Sequence, residues 1–151
     1  GLQEIDQLRP LLAAVKENCG SAPLLVKIAP DLTDDEVARV TELVADLGLA
    51  GIIATNTTLS REGLHASAAK VEAIGAGGLS GRPLKTRSMD VLRVIASKAP
   101  PSMCVISVGG VETSDDVEAR LSAGAHLVQG YSAFVYWGPG WARSINRGLS
   151  N

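Results

Sequence analysis

Short apolar runs and longer amphipathic segments alternate along the chain. The runs at residues 24–29, 51–55, 103–108 and 126–131 have the length and composition of buried strands. Between the first two, hydrophobic residues recur with the spacing of one helix face, at Val37, Val40, Leu43, Val44 and Leu47. Strands that are apolar on both faces and are followed by helices predict a parallel sheet covered by helices.

The predicted helix after the first strand has clear signals at both ends. Thr33 and Glu36 have the spacing of a capping box, and Gly48 is placed to end the helix. Thr113 and Gly124 bound a second helix in the same way. Two further helices are predicted near residues 8–15 and 89–96.

Two architectures contain such a sheet: an open doubly wound sheet and a (βα)8 barrel. Four strands are few for the first and half the number for the second, and a complete barrel needs about 250 residues. The chain has 151 residues, and its sequence is expected to begin in a loop that leads to a helix, with no strand predicted before it. We therefore expect residues 1–151 to form the C-terminal half of an α/β (βα)8 TIM barrel. Its exposed edges and interior predict poor solubility or dimerisation.

Composition excludes several classes of function. The chain has 14 basic and 16 acidic side chains and few aromatics, which gives no basis for binding nucleic acid. Its apolar runs are far shorter than the roughly 20 residues that cross a bilayer. Cys19 and Cys104 are expected to be reduced thiols of a cytosolic protein. His65 and His126 lack metal-ligand spacing, so we expect no protein-bound metal.

Residues 59–85 form a long connection rich in alanine and glycine. Such a connection is either a lid or binding loop, or a tolerated surface insertion. Within it, residues 75–80 nearly match the dinucleotide fingerprint G-x-G-x-x-G/A. No convincing strand precedes them and no acidic residue ends a following strand at the required distance, so we reject a Rossmann site.

Polar side chains follow the first two predicted strands, where a barrel has its active site. Lys27 lies within an apolar run, so its ammonium group must reach water or meet a polar or anionic partner. The four consecutive hydrogen-bonding residues at 55–58, Thr55, Asn56, Thr57 and Thr58, could hold a planar polar ligand, or equally could form a turn or helix cap.

Glycines and hydroxyls follow the last two strands. Gly109 and Gly110 would let backbone N–H groups approach an anion, and Tyr131 and Ser132 follow the next strand. Barrels frequently bind phosphate with their last two βα loops, so these four residues form a candidate phosphate cup. Paired glycines also serve in ordinary tight turns.

Acid–base residues are scarce by comparison. Asp31 could act as a general base, but its place before a helix favours a structural role. Neither histidine has an apparent nucleophile with it, and both are interpreted as surface or packing residues. A site rich in ligand-binding groups and poor in acid–base groups suggests that a cofactor does the chemistry.

Five motifs then occur in order: VKIAPDL at 26–32, ATNTT at 54–58, GGLSGRPL at 77–84, SVGG at 107–110 and QGYS at 129–132. In this order and spacing, over essentially the whole chain, they resemble class 2 dihydroorotate dehydrogenases, the quinone-linked flavoenzymes of pyrimidine synthesis. The resemblance implies a (βα)8 barrel with FMN at the strand C-termini. It assigns FMN contacts to Lys27, Thr55, Gly81, Gly110, Tyr131 and Ser132, and dihydroorotate or orotate binding to Asn56 and Thr57.

The resemblance also gives Lys27 a role. Its ammonium group would point inward beside the N1–C2=O edge of the isoalloxazine, where a cation in a low-dielectric site stabilises reduced flavin. The alternative is that Lys27 reaches solvent from the strand end. Two departures from the family pattern stand out: Ser107 is expected to add a hydroxyl near the phosphate, and Gly130 to leave room beside the flavin.

The reaction that the resemblance implies needs groups beyond this chain. A serine base takes a proton from C5 of dihydroorotate, hydride passes from C6 to FMN, and quinone reoxidises the flavin. The base segment is expected upstream of Gly1, so no catalytic residue is assigned here and the isolated chain is expected to be inactive. The first half-barrel and the quinone-guiding helices are expected upstream too. The parent would be peripheral on the cytoplasmic side of the membrane, and this chain alone soluble in the cytoplasm.

Two other functions stay open at the level of sequence. One is a non-catalytic half-barrel that binds flavin or phosphate, and the other is a flavin-free barrel enzyme acting on a phosphorylated metabolite. The TNTT and GGLSG segments argue against the second.

Overall fold

The computed structural model describes residues 5–149. Its elements in chain order are α1 (Ile5–Asn18), β1 (Leu25–Ile28), α2 (Asp34–Asp46), β2 (Gly51–Ala54), α3 (Ala68–Ile74), a 3-10 helix (Arg82–Leu84), α4 (Lys85–Lys98), β3 (Cys104–Val108), α5 (Ser114–Ser122), β4 (Leu127–Gln129), α6 (Ser132–Trp137) and α7 (Trp141–Leu149). All four predicted strands are present. The first and the last are shorter than expected at both ends.

The four strands form one parallel sheet in the order β1-β2-β3-β4. Each strand pairs with the next one in sequence, as successive strands of a barrel do. A doubly wound sheet instead reverses its strand order at a switch point. The half-barrel prediction is therefore confirmed. Among the described residues, β1 and β4 are each paired on one side only.

The hydrophobic core lies between the helices and one face of this sheet, which we call the outer face. Side chains alternate along a strand, so every second residue points to this face. Its residues are at most 8% exposed: Val26, Ile28, Ile52, Ala54 and Val105. They pack with buried residues of α2 and α4, among them Val40, Val44, Leu92 and Ile95.

The other face of the sheet, the inner face, is much more open. Register places Lys27, Ile53, Ile106 and Leu127 side by side across the four strands. Ile106 is buried, but Ile53 is only partly buried, Lys27 is exposed and Leu127 is 57% exposed. This is the face that would look into the interior of a closed barrel.

The helix signals in the sequence correspond to observed contacts. Thr33 and Glu36 form the predicted capping box, in which the Thr33 N–H donates to Glu36 Oε2 at 2.7 Å. Thr113 caps α5 in the same way, with Asp116 as its partner. The predicted helices at 8–15 and 89–96 fall within α1 and α4.

The long connection contains structure that the sequence did not predict. Residues 68–74 form α3, which has a Ser67 cap but no buried residue, and the 3-10 helix leads directly into α4. Helical periodicity could not reveal α3 because it has no apolar stripe packed on a core. None of the described helices is long and apolar enough to cross a membrane.

Candidate functional site

A cavity of about 660 Å³ lies at the C-terminal ends of the four strands. This volume is within the range of pockets that bind small molecules and cofactors. Its walls come from the strand ends and the loops that follow them, and all eight residues that the family resemblance assigns to the site contribute: Lys27, Thr55, Asn56, Thr57, Gly81, Gly110, Tyr131 and Ser132. The fold thus gathers into one place residues that are more than a hundred positions apart.

The first part of the wall is fixed by hydrogen bonds from the segment after β2. The Thr55 N–H donates to Val108 O at 2.8 Å, and the Asn56 N–H donates to Ile28 O at 2.7 Å. These bonds continue the sheet beyond the strand ends on both sides of β2. Thr55 is consequently buried, while the side chains of Asn56 and Thr57 are exposed at the cavity.

Lys27 lies beside this segment, but its surroundings differ from the expectation. The family resemblance implied an inward-pointing lysine in a low-dielectric site; the side chain does line the cavity, but it is exposed. The reason is its position on the open inner face, where it lines the cavity while remaining in contact with solvent. Water and salt screen a charge so placed, so a strong effect on a ligand requires further covering of the inner face.

The glycine loop after β3 forms the adjoining part of the wall, where a Cβ at Gly109 would lie 3.4 Å from Thr55 Oγ1. Gly109 and Gly110 have φ values of 126° and 67°, which residues other than glycine rarely adopt. A Cβ atom at Gly110 would lie 2.6 Å from the backbone N of Lys85, because the loop packs directly on the first residue of α4. Only glycine permits this approach. It brings the loop backbone to the cavity surface.

Two hydroxyls complete the same wall. Ser80 Oγ and Ser132 Oγ lie 2.9 Å apart and join the GGLSG segment to the start of α6. Gly81 has a φ of 86°, and a Cβ there would approach Ser132 Cβ to 3.3 Å. The cup that was predicted from Gly109, Gly110, Tyr131 and Ser132 therefore also includes Ser80 and Gly81.

Behind the glycine loop lies a buried arginine that sequence reasoning missed. Arg120 is 1% exposed. Its Nη1 donates to Ser107 Oγ at 2.6 Å, and its Nη2 donates to Ser88 Oγ at 2.8 Å and to Gly109 O at 2.6 Å. Burial lowers the pKa of the Arg120 guanidinium, and the negative charge of Asp116 acts in the opposite direction.

These contacts correct the expectation for Ser107. Its hydroxyl is fully buried on the outer face and accepts from Arg120, so it does not lie near a phosphate in the cavity. Strand alternation explains the error, since Val108 lines the cavity and Ser107 points the other way. A signal for Arg120 did exist in the sequence. Asp116, Val117 and Arg120 share the buried face of α5 at helical spacing.

Asp116 links the same loop to α4. Its Oδ1 lies 2.5 Å from Lys85 Nζ, and its Oδ2 accepts from the N–H groups of Glu112 and Thr113 at 3.0 and 3.1 Å. Burial raises the pKa of the Asp116 carboxyl. The hydrogen bonds from Lys85 and from the two backbone N–H groups outweigh burial and hold that pKa below its ordinary value.

Several cavity residues were not assigned from the sequence. They are Gly78, Ser80, Leu84, Val108, Val111, Glu112, Gln129 and Ala133. Glu112 stands out because Arg82 donates to its Oε2 from Nε at 3.0 Å and from Nη2 at 2.8 Å. This hydrogen bond and ion pair raise the pKa of Arg82 and join the 3-10 helix to the glycine loop at the cavity rim.

Gly130 also differs from the expectation. A Cβ there would lie 2.9 Å from Trp141 Cζ3 and nearer still to Cη2, so the indole ring fills the space beside this glycine. Trp141 Nε1 in turn donates to Glu112 O at 2.9 Å. The missing side chain therefore makes room for the indole of α7, while the backbone of Gly130 lines the cavity.

The remaining candidates have structural contacts outside the cavity wall. Asp31 accepts from Thr58 Oγ1 and, at 3.2 Å, from the Leu59 N–H, so it holds the loop after β2. His126 Nδ1 accepts from the Val105 N–H at 3.1 Å, and His65 is exposed. Both cysteines are free thiols. Within residues 5–149, no cluster of histidine, cysteine and acidic side chains could hold a metal ion.

Comparison with known proteins agrees with this arrangement. The family model described as dihydroorotate dehydrogenase matches residues 1–151. A protein of Leifsonia xyli subsp. xyli named dihydroorotate dehydrogenase (quinone) is 65% identical over 150 residues, which are 99% of this chain and 44% of the relative. A protein of Clavibacter sepedonicus with the same name is 63% identical over the same shares. The chain thus spans less than half the length of these curated relatives.

Solved structures show the same relation in three dimensions. DHODH of Eimeria tenella in complex with ferulenol superposes with a TM-score of 0.88 at 33% identity, over 98% of this chain and 44% of that one. The ligand-free form gives the same TM-score at 34% identity. Family match, sequence identity and half-barrel geometry lead to one conclusion. The chain belongs to the dihydroorotate dehydrogenase family, a family of flavoenzymes.

Proposed function

We propose that this chain provides the FMN-binding and orotate-binding half of a quinone-linked dihydroorotate dehydrogenase of de novo pyrimidine biosynthesis. One observation carries the proposal. All eight residues that the family resemblance assigns to FMN and substrate line a single cavity at the strand C-termini. The relatives named dihydroorotate dehydrogenase (quinone) support the choice of substrate and electron acceptor.

The residues present suit FMN in particular. The packing of Gly110 on Lys85 brings the loop backbone to the cavity surface, and the Ser132 hydroxyl lies on the same wall. Such a combination of backbone N–H groups and hydroxyls suits a phosphate. Lys27 and Thr55, which line the same cavity, would hold the polar edge of the ring system. When bound, FMN supplies the redox chemistry by accepting a hydride equivalent and passing its electrons to quinone.

The chain's own part in the reaction is binding and charge stabilisation. Asn56 and Thr57 present amide and hydroxyl groups on the same rim as Lys27, and these would orient the polar edge of dihydroorotate. The Lys27 ammonium would stabilise negative charge that develops on the ring edge during hydride transfer. We assign the proton-accepting serine to sequence outside this chain, together with membrane association on the cytoplasmic side and delivery of quinone.

The open inner face supports this division of labour. Lys27 is exposed and Leu127 is 57% exposed, whereas a hydride-transfer site works best when water is excluded. A second half-barrel would close the sheet, cover the inner face and strengthen the field of Lys27. The isolated chain is therefore expected to bind flavin without turnover.

The test uses the chain alone and a completed barrel, made by joining the chain to the residues that precede the matched region in the Leifsonia xyli relative. We expect the completed barrel to be yellow, to release FMN on denaturation, and to oxidise dihydroorotate with quinone. Lys27→Met in the completed barrel should lower kcat about a hundredfold, as loss of one charge-stabilising donor does. It should also lower the midpoint potential of the bound flavin.

Lys27→Arg is the matched control, because it keeps the positive charge and should keep most of the potential. Turnover by the chain alone would overturn the division between the two halves. A completed barrel that stays colourless and binds a simple sugar phosphate would instead support a flavin-free enzyme.

A further inference from the structure

Arg120 is the most deeply buried charged group in the described part of the chain, and the cavity itself does not include it. Its hydrogen-bond acceptors within 3 Å are neutral: the hydroxyls of Ser88 and Ser107 and the carbonyl of Gly109. A guanidinium stays protonated in proteins, so the positive charge persists in this site. A buried cation held only by neutral groups is costly unless a negative charge lies close by.

The position of Arg120 shows where such a negative charge would lie. It sits behind the glycine loop, while the front of that loop, with Gly109 and Gly110, forms the wall of the cavity. Asp116 is the nearby carboxylate that affects Arg120, but it is already paired with Lys85. An anion in the cavity would compensate the buried charge from the other side of the loop.

The hydrogen bond to Gly109 also has a geometric effect on the next residue. The peptide unit between Gly109 and Gly110 is trans and planar, so its C=O and its N–H point in opposite directions. Arg120 Nη2 donates to this carbonyl at 2.6 Å on the buried side, and Ser88 Oγ donates to it at 2.8 Å. The N–H of Gly110 is thereby turned away from Arg120, and Gly110 itself lines the cavity.

We propose that Arg120 is a positioning residue for the phosphate group of the cofactor. It fixes the Gly110 N–H as a donor to the phosphate and places a positive charge behind the loop, without touching the ligand itself. Ser107 and Ser88 hold the guanidinium in this orientation from β3 and α4. The inference rests on the proposed binding of FMN and adds a residue that has no contact with the cavity.

Because the role concerns phosphate alone, flavins with and without phosphate distinguish it from a general structural role. Gel filtration first shows whether the chain alone or the completed barrel retains FMN. We would titrate FMN and riboflavin into the form that does. Arg120→Met should weaken FMN binding about tenfold or more, as loss of a charge-assisted hydrogen bond does. Riboflavin binding should change less than about twofold, since its ring contacts are untouched.

Three further variants define the effect. Arg120→Lys keeps the charge and one donor to Gly109, and should recover most of the FMN affinity. Arg120→Gln keeps a hydrogen-bond donor but not the charge, and should still weaken the binding of FMN more than that of riboflavin. If Arg120→Met does not fold, this variant takes its place in the test. Val40→Ala, a cavity-forming change in the distant core of α2, should lower the melting temperature without changing the FMN-to-riboflavin affinity ratio.

The outcomes separate the two proposals. If the unsubstituted protein retains no FMN in either form, the proposed function fails and the inference fails with it. If the protein binds FMN but the Arg120 variants weaken FMN and riboflavin equally, the proposed function stands and the positioning role is overturned. A selective loss for FMN that Arg120→Lys reverses would support both.

Discussion

The two faces of the sheet use the same strands for different purposes. Ile52 and Ile53 are consecutive residues of β2, yet Ile52 is fully buried on the outer face and Ile53 only partly buried on the inner face. The outer face packs against α2 and α4. The inner face presents Lys27 and the exposed Leu127.

This difference indicates that stability and function have been separated within single strands. The outer face carries the buried apolar contacts between the sheet and the helices α2 and α4. The inner face supplies a lysine that lines the cavity, and it carries apolar area that the described residues leave exposed. In the proposed enzyme, a first half-barrel would cover this area.

Substituting the two isoleucines of β2 in turn tests the difference between the two faces with the largest expected effect. Ile52→Ala removes a fully buried side chain and should lower the free energy of unfolding by about 2–5 kcal/mol. Ile53→Ala should cost clearly less, about 1 kcal/mol, because its side chain is already partly solvated. Urea denaturation of both variants measures the two values.

The same two substitutions in the completed barrel test whether covering the inner face removes the difference in stability cost. Once the inner face is covered, the cost of Ile53→Ala should rise toward that of Ile52→Ala, while the cost of Ile52→Ala stays the same. Equal costs in the isolated chain would mean that the inner face is already protected, for example by a second copy of the chain.

Much of this arrangement could be predicted from the sequence. Four apolar runs with helices between them indicated the parallel half-barrel, and the capping box at Thr33 and Glu36 placed the start of α2. The cavity residues were found because barrels position their sites after the strand ends, and the family motifs fall at those ends. Both are local signals that a single sequence carries.

What the sequence could not give was the face to which each residue points. Ser107 and Val108 are neighbours, yet one meets Arg120 in the core and the other lines the cavity. The partner of Gly130 is Trp141, which belongs to a different helix. The exposure of Lys27 depends on whether the inner face is covered. Each of these facts depends on tertiary contacts that local pattern does not contain.

The packing of Trp141 on Gly130 provides a second test, on the helix side of the last strand. Gly130→Val would push a side chain into the indole and should destabilise the protein by about 1–3 kcal/mol, as overpacking does. In a Trp141→Ala background the same substitution should cost much less, because the space is then open. Thermal or urea unfolding of the four proteins gives the coupling energy.

If Gly130 instead provided room for a ligand, the result would differ. Gly130→Val would then weaken FMN binding with little change in stability, and Trp141→Ala would not relieve the effect. Additive free energies across the double-mutant cycle would contradict the contact between the two residues.

The smallest expected effect concerns the ion pair that joins α5 to α4 behind the cavity. The pKa of Asp116 is lower in the folded protein than its ordinary value of about 3.9, so folding favours the charged form. The resulting stabilisation is present above that ordinary value and is lost as the pH falls through the folded pKa. Because Lys85 is half exposed, solvent screening limits the contribution to about 1 kcal/mol.

Asp116→Asn should therefore reduce the loss of stability between about pH 5 and pH 3, while an amide oxygen at this position can still accept from the N–H groups of Glu112 and Thr113. Urea midpoints at the two pH values measure the change. Asp115→Asn is the matched control, since it neutralises the adjacent carboxyl in the first turn of α5 and leaves the Lys85 pair intact. An equal change in both variants would mean that the helix terminus, and not the Lys85 pair, responds to acid. In that case the pair would serve only to hold the glycine loop against α4, whatever the charge on the carboxyl.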